Sequence, residues 1–80
     1  MNELLQNLEK LHTTPLGAQR IQKNARTGQA DPVNWCKEKI LQSGAVLTRA
    51  GKNWYVEADG WRITVNAHSY TVITVHQSRG

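Results

Sequence analysis

From residue 52 onward the chain alternates between apolar and polar positions. Within each run the apolar residues alternate with the polar ones: Trp54 and Val56, then Trp61, Ile63 and Val65, against Asn53, Tyr55 and Glu57, then Arg62, Thr64 and Asn66. Strict alternation predicts half-buried strands, here 52–58 and 61–66. Asp59-Gly60 is all that separates them. That pair is a strong signal for a two-residue turn with both φ angles positive, and so tight a turn sets the register. It places Ala58 across from Trp61, Glu57 from Arg62, Val56 from Ile63, Tyr55 from Thr64 and Trp54 from Val65. One face of this hairpin is apolar, and the other carries groups that ionise or hydrogen-bond.

The first half of the chain has helical spacing instead. Leu4, Leu5, Leu8 and Leu11 form one stripe over residues 2–12, with Asn2 as N-cap. Thr14-Pro15 and Asp31-Pro32 each pair a capping residue with a proline at the first helical position. They predict helices over about 15–24, carrying Leu16, Ala18 and Ile21, and over 32–42. The second of these aligns Val33, Cys36, Lys37, Ile40 and Leu41, with Trp35 beside them. Residues 25–30 read as a loop, and Ser43-Gly44 ends the third helix. A strand over 45–49 follows, and Ala50-Gly51 turns it into the hairpin.

The last strand, 70–76, has two possible registers. A three-residue loop at 67–69 sets Asn66 across from Tyr70 and Arg62 across from Thr74. Thr71, Ile73 and Val75 then join the apolar face, while Tyr70, Val72, Thr74 and His76 join the polar one. A two-residue loop reverses every assignment. The first is preferred because it buries Ile73 and Val75 and leaves His76 in water. The expected fold is α+β: two to three N-terminal helices packed on one face of a four-stranded antiparallel meander, a single domain over 1–80.

Composition narrows the function classes. Eighty residues can build only a thin core, and with three Trp, two Tyr and no Phe the tryptophans should dominate it. A single cysteine, Cys36, precludes an internal disulfide and fits a reducing, cytoplasmic setting, most simply as a small buried hydrophobe. No cysteine pairs or histidine clusters have metal-ligand spacing, so neither metal nor cofactor is expected. The N-terminus reads as neither signal peptide nor membrane span. The net charge of +4 suits an acidic partner or nucleic acid without specifying one. Gly-rich phosphate loops, Ser-His-Asp patterns and dinucleotide fingerprints are all missing.

Three sets of residues remain as candidates. Glu57, Arg62, Thr74 and His76 gather on the polar sheet face, with Tyr55 and Tyr70 nearby. RNA cleavage needs a base, an acid and a cation for the phosphorane charge. Glu57 or His76 offers proton transfer, Arg62 the cation, and the tyrosines stacking. The plain alternative is a cross-strand Glu57–Arg62 ion pair beside a solvated histidine, worth about 0–1 kcal/mol. Arg20, Lys23 and Arg26, spaced by three, form a second set: a phosphate-contacting stripe or an ordinary solvated helix face. His12 and His68 are expected as exposed bystanders, and Asn53 and Asn66 close one end of the polar face.

The segments TPLGAQRIQKN, WCKEKI, GKNWYV and ITVNAHSYTVITVH resemble a family of short bacterial proteins described as a domain of unknown function. The order of elements also resembles the barnase–EndoU–colicin–RelE class of toxin ribonucleases. That second resemblance implies metal-independent cleavage, with Arg20 or Lys23 on the helix, Arg62 on the middle strand, and Thr74 and His76 on the last. It lacks a His–x–x–Arg signature in the first helix, and its positive charge is modest. The expected function is RNA binding with endoribonuclease activity of this type. The alternative is a non-enzymatic adaptor or inhibitor that binds a protein, such as an antidote, through the open face or through edge strands 45–49 and 52–58.

Overall fold

Local signals build most of the elements. The computed structural model describes residues 2–25 and 31–78. Asn2 Oδ1 accepts hydrogen bonds from the amides of Leu4 and Leu5 and starts helix α1, Glu3–Gln6. Thr14 Oγ1 accepts from the Gly17 amide at 3.0 Å, ahead of α2, Pro15–Ala25. Asp31 Oδ1 accepts from Val33 and Asn34 and starts α3, Pro32–Ile40. These are side-chain caps on amides that have no partner within the helix. No helix among the described residues is long and apolar enough to cross a membrane.

Four strands follow: β1 (Val46–Ala50), β2 (Asn53–Ala58), β3 (Trp61–Asn66) and β4 (Val72–Gln77). They form one antiparallel sheet in the order β1-β2-β3-β4. Asp59 and Gly60 have φ of 53° and 79°, and every β2–β3 pair falls where that turn puts it. The fold is α+β, with α2 laid along β4 and α3 against β2. Ile21, Cys36 and Ile40 from the helices meet Trp54, Val56, Ile63, Val65, Val72 and Val75 from the sheet. Trp54 is buried, whereas Trp35 and Trp61 are half-buried and meet edge to face, centroids 5.4 Å apart.

Several expectations are corrected. The first stripe is two short pieces, α1 and a 3₁₀ turn at Leu8–Lys10. The break falls at Asn7, whose φ of −121° is not helical. No helix extends to residue 12 because His12 bridges to Thr71, just ahead of β4: its amide donates to Tyr70 O at 3.1 Å, and its carbonyl accepts from Val72 N at 2.8 Å. On α2, Gly17 and Ile21 face the sheet, and Leu16 is 58% exposed. Strand β2 lies inside the sheet, so it offers no edge.

The last strand follows neither simple register. Arg62 pairs with His76, Ile63 with Val75 and Thr64 with Thr74, but Val65 pairs with Val72. Ile73 is the extra residue of a β-bulge, 43% exposed. The bulge resolves a conflict of parity. Without it, Val72 and Val75 would point to opposite faces; with it both are buried, and Thr74 and His76 stay on the polar face. Tyr70, expected on the polar face, is buried, with φ of +59°.

Candidate functional site on the open sheet face

The cluster at the end of the sheet away from residues 66–70 rests on two register facts. Glu57 pairs with Arg62 across β2–β3, and Arg62 pairs with His76 across β3–β4, so one row of the open face reads Glu57, Arg62, His76. The next row reads Tyr55, Thr64, Thr74. The first row borders a shallow depression of about 260 Å³ with Gln77 and Ser78.

Arg62 donates to Glu57 Oε2 through Nη2 at 2.7 Å and through Nε at 3.1 Å. Ser78 Oγ donates to Glu57 Oε1 at 2.8 Å, and its amide donates to Gly60 O at 2.7 Å. The hydrogen bonds from Arg62 and Ser78 hold the Glu57 carboxyl below the usual carboxylate range. Glu57 therefore stays charged at neutral pH and is poorly suited to donate a proton. The imidazole Nε2 of His76 lies 3.1 Å from Thr74 Oγ1, and the ring is exposed. Thr64 is buried beneath its neighbours, and Tyr55 is half-buried with its hydroxyl 3.4 Å from Asn53 Nδ2.

Arg62, His76, Glu57, Thr74 and Tyr55 thus share one face, and Tyr70 does not. Its ring sits within the core under the Lys10 ammonium, 5.8 Å away, so it is not available to stack on a base. Arg20 and Lys23 are exposed on α2, which covers the opposite face of the sheet. Arg26 lies outside the described residues. Lys23 lines a second groove of about 540 Å³ with Asn24, Ala25, Trp61 and Gln77. Gln77 borders both depressions, and Arg20 lines neither.

Ser78, Gln77 and Trp61 were missed as site residues by sequence reasoning. No local signal marked Ser78: it reaches Gly60 and Glu57 only in the observed register, in which Arg62 pairs with His76 and Trp61 with Gln77.

The other candidates are accounted for by structural roles. Asn66 Oδ1 accepts from the amides of His68 and Ser69 and closes the β3–β4 loop. His12 Nδ1 faces the Lys10 carbonyl at 2.9 Å, so that nitrogen donates and Nε2 meets Thr71 Oγ1 at 3.0 Å. Cys36 is fully buried, and burial above all, then the charge of Asp31, pushes its thiol up to about 12. It is a core residue with no nucleophilic character.

The family model described as "Protein of unknown function (DUF3781)" covers residues 5–76. No curated protein and no solved structure matches the chain.

Proposed function

The chain belongs to this DUF3781 family, and with that as premise we propose that it binds RNA on the open face of its sheet and cleaves it without a metal. The observation carrying this reading is the row Glu57–Arg62–His76, in which a guanidinium and an imidazole border one open depression. Arg62 is the phosphate seat, and Glu57 with Ser78 fixes where its guanidinium points. Tyr55 offers a ring beside the site for a base. Lys23, reached around Gln77, extends the phosphate path toward the helix side.

In the cleavage step the 2′-oxygen attacks the adjacent phosphorus. The 2′-O–P bond forms, the P–O5′ bond breaks, and the products are a 2′,3′-cyclic phosphate and a 5′-hydroxyl. His76 takes the 2′-hydroxyl proton and returns one to the departing O5′, while Arg62 meets the negative charge on the phosphorane. Thr74, hydrogen-bonded to His76 Nε2, positions the ring.

The test is purified protein with total RNA and a tRNA pool in EDTA, beside Arg62→Ala and His76→Ala. Cleavage lost in both variants supports the proposal. Intact RNA in every lane, or variants as fast as the wild type, overturns the cleavage step. Salt-dependent retention on RNA, weakened in Arg62→Ala, tests binding separately.

A further inference from the structure

The two edges of the sheet are treated differently. The outer edge of β4 is partly covered: Val72 N donates to His12 O, Val72 O accepts from Thr13 Oγ1 at 3.1 Å, and Val75 O accepts from Asn24 Nδ2 at 3.0 Å. No described group outside the sheet bonds β1 in this way.

The direction of the β1 backbone groups follows from one hydrogen bond. Ala67 N donates to Lys52 O at 2.8 Å, so the even residues of the second strand face β3 and its odd residues face β1. Asn53, Tyr55 and Glu57 therefore exchange hydrogen bonds with Ala50, Thr48 and Val46. The N–H and C=O groups of Leu47 and Arg49 point outward from the sheet.

We infer that β1 pairs with β1 of a second copy of this chain, antiparallel about a two-fold axis through Thr48. In that register Leu47 of each copy exchanges both hydrogen bonds with Arg49 of the other, so all four outward groups on each strand are satisfied. Val46 meets Ala50, and Thr48 meets Thr48. The shift that would set Arg49 against Arg49 opposes like charges, and the shift that would set Leu47 against Leu47 leaves the outward groups of Arg49 beyond the end of the partner strand. Arg49 does not block the approach: its guanidinium lies over the Trp54 ring at 6.0 Å, and its Nε donates to Gly51 O. The strand carries no proline and no charge besides Arg49. The product is an eight-stranded sheet with one continuous open face.

Five residues of edge make a small interface, well under the ~1,200 Å² of stable complexes. Association is accordingly weak and is read at high protein concentration. The proposal does not rest on RNA binding, and its test contains no RNA. Sedimentation from about 1 to 300 µM, spanning the range of weak complexes, should show the mass rise from 9.0 kDa toward twice that value. Thr48→Lys and Thr48→Asp each place like charges ~5 Å apart across the axis, and each should stay monomeric. Mixed in equal amounts, the two variants should associate again. Exchange of the Leu47 and Arg49 amides should slow with concentration, while that of Thr48 stays slow throughout. A wild type that remains at 9.0 kDa with concentration-independent exchange overturns the proposal. So does association of either charge variant as tight as the wild type, or a mixture that fails to associate.

Discussion

Arg62 stands directly across the sheet from His76, yet its guanidinium is bonded the other way, to Glu57 at 2.7 Å. If the open face binds RNA as proposed, the arginine meant for a phosphate is held by a carboxylate until one arrives. Ion pairs on a surface are weak enough for that exchange to occur, and it places Glu57 in competition with the ligand.

Glu57→Gln should therefore bind RNA more tightly than the wild type at moderate salt. One cation freed for one phosphate should steepen the log affinity against log salt plot by roughly 0.7 on a single strand. Arg62→Ala should make it shallower by a similar amount. An unchanged slope in both variants would remove Arg62 from the phosphate path.

Acid stability carries a second signature of the same pair. The hydrogen bonds from Arg62 and Ser78 lower the folded-state pKa of Glu57 beneath its ordinary value of 4.5. A carboxyl depressed in the folded state adds stability above its unfolded pKa and loses it as pH falls through the folded one. The melting temperature should thus drop below pH 4.5, and Arg62→Ala should blunt that share of the drop. Parallel melting curves for wild type and Arg62→Ala across this range would contradict it.

Gly17 sets two effects against each other. In an open helix, Gly→Ala gains about 1 kcal/mol. Here an added Cβ would overlap Thr13 Oγ1, which donates to Val72 O. Moving that hydroxyl loses a hydrogen bond worth about 1 kcal/mol and orphans a carbonyl. Gly17→Ala should be neutral or destabilising in urea unfolding, and stabilising when made on Thr13→Ala. Equal effects in both backgrounds would mean that Thr13 is not the obstacle.

Trp54 Nε1 is buried without a hydrogen-bond partner among the described residues. An orphaned donor costs about 1–3 kcal/mol, and Phe removes it while keeping most of the ring. Trp54→Phe should fall within about 1 kcal/mol of the wild type, against a loss of about 3–5 kcal/mol for Trp54→Ala. A large loss for Trp54→Phe would show that the indole N–H is satisfied.

The legible parts of this chain were those governed by neighbours in sequence. Asp59-Gly60 defined the central hairpin and its whole register. Thr14-Pro15 and Asp31-Pro32 marked two helix starts. Glu57 beside Arg62 followed from the same turn.

What local pattern could not supply was any choice made between distant segments. The helical run expected to reach residue 12 stops at Lys10, and His12 instead takes up backbone partners on Tyr70 and Val72, an exchange no nearby residue announces. Both simple registers of the last strand failed because each assumed unbroken alternation, and burial of Val72 together with Val75 required a bulge at Ile73. That bulge buried Tyr70, and together with a loop one residue longer than expected (67–70) it kept His76 outward and moved it from beyond Arg62 to directly across from it. The sequence alone determined short-range geometry, since turns and caps cost or gain free energy within a few residues. The tertiary structure decided which groups meet on the open face, because that depends on how much apolar surface the last strand can bury against helices some fifty residues earlier.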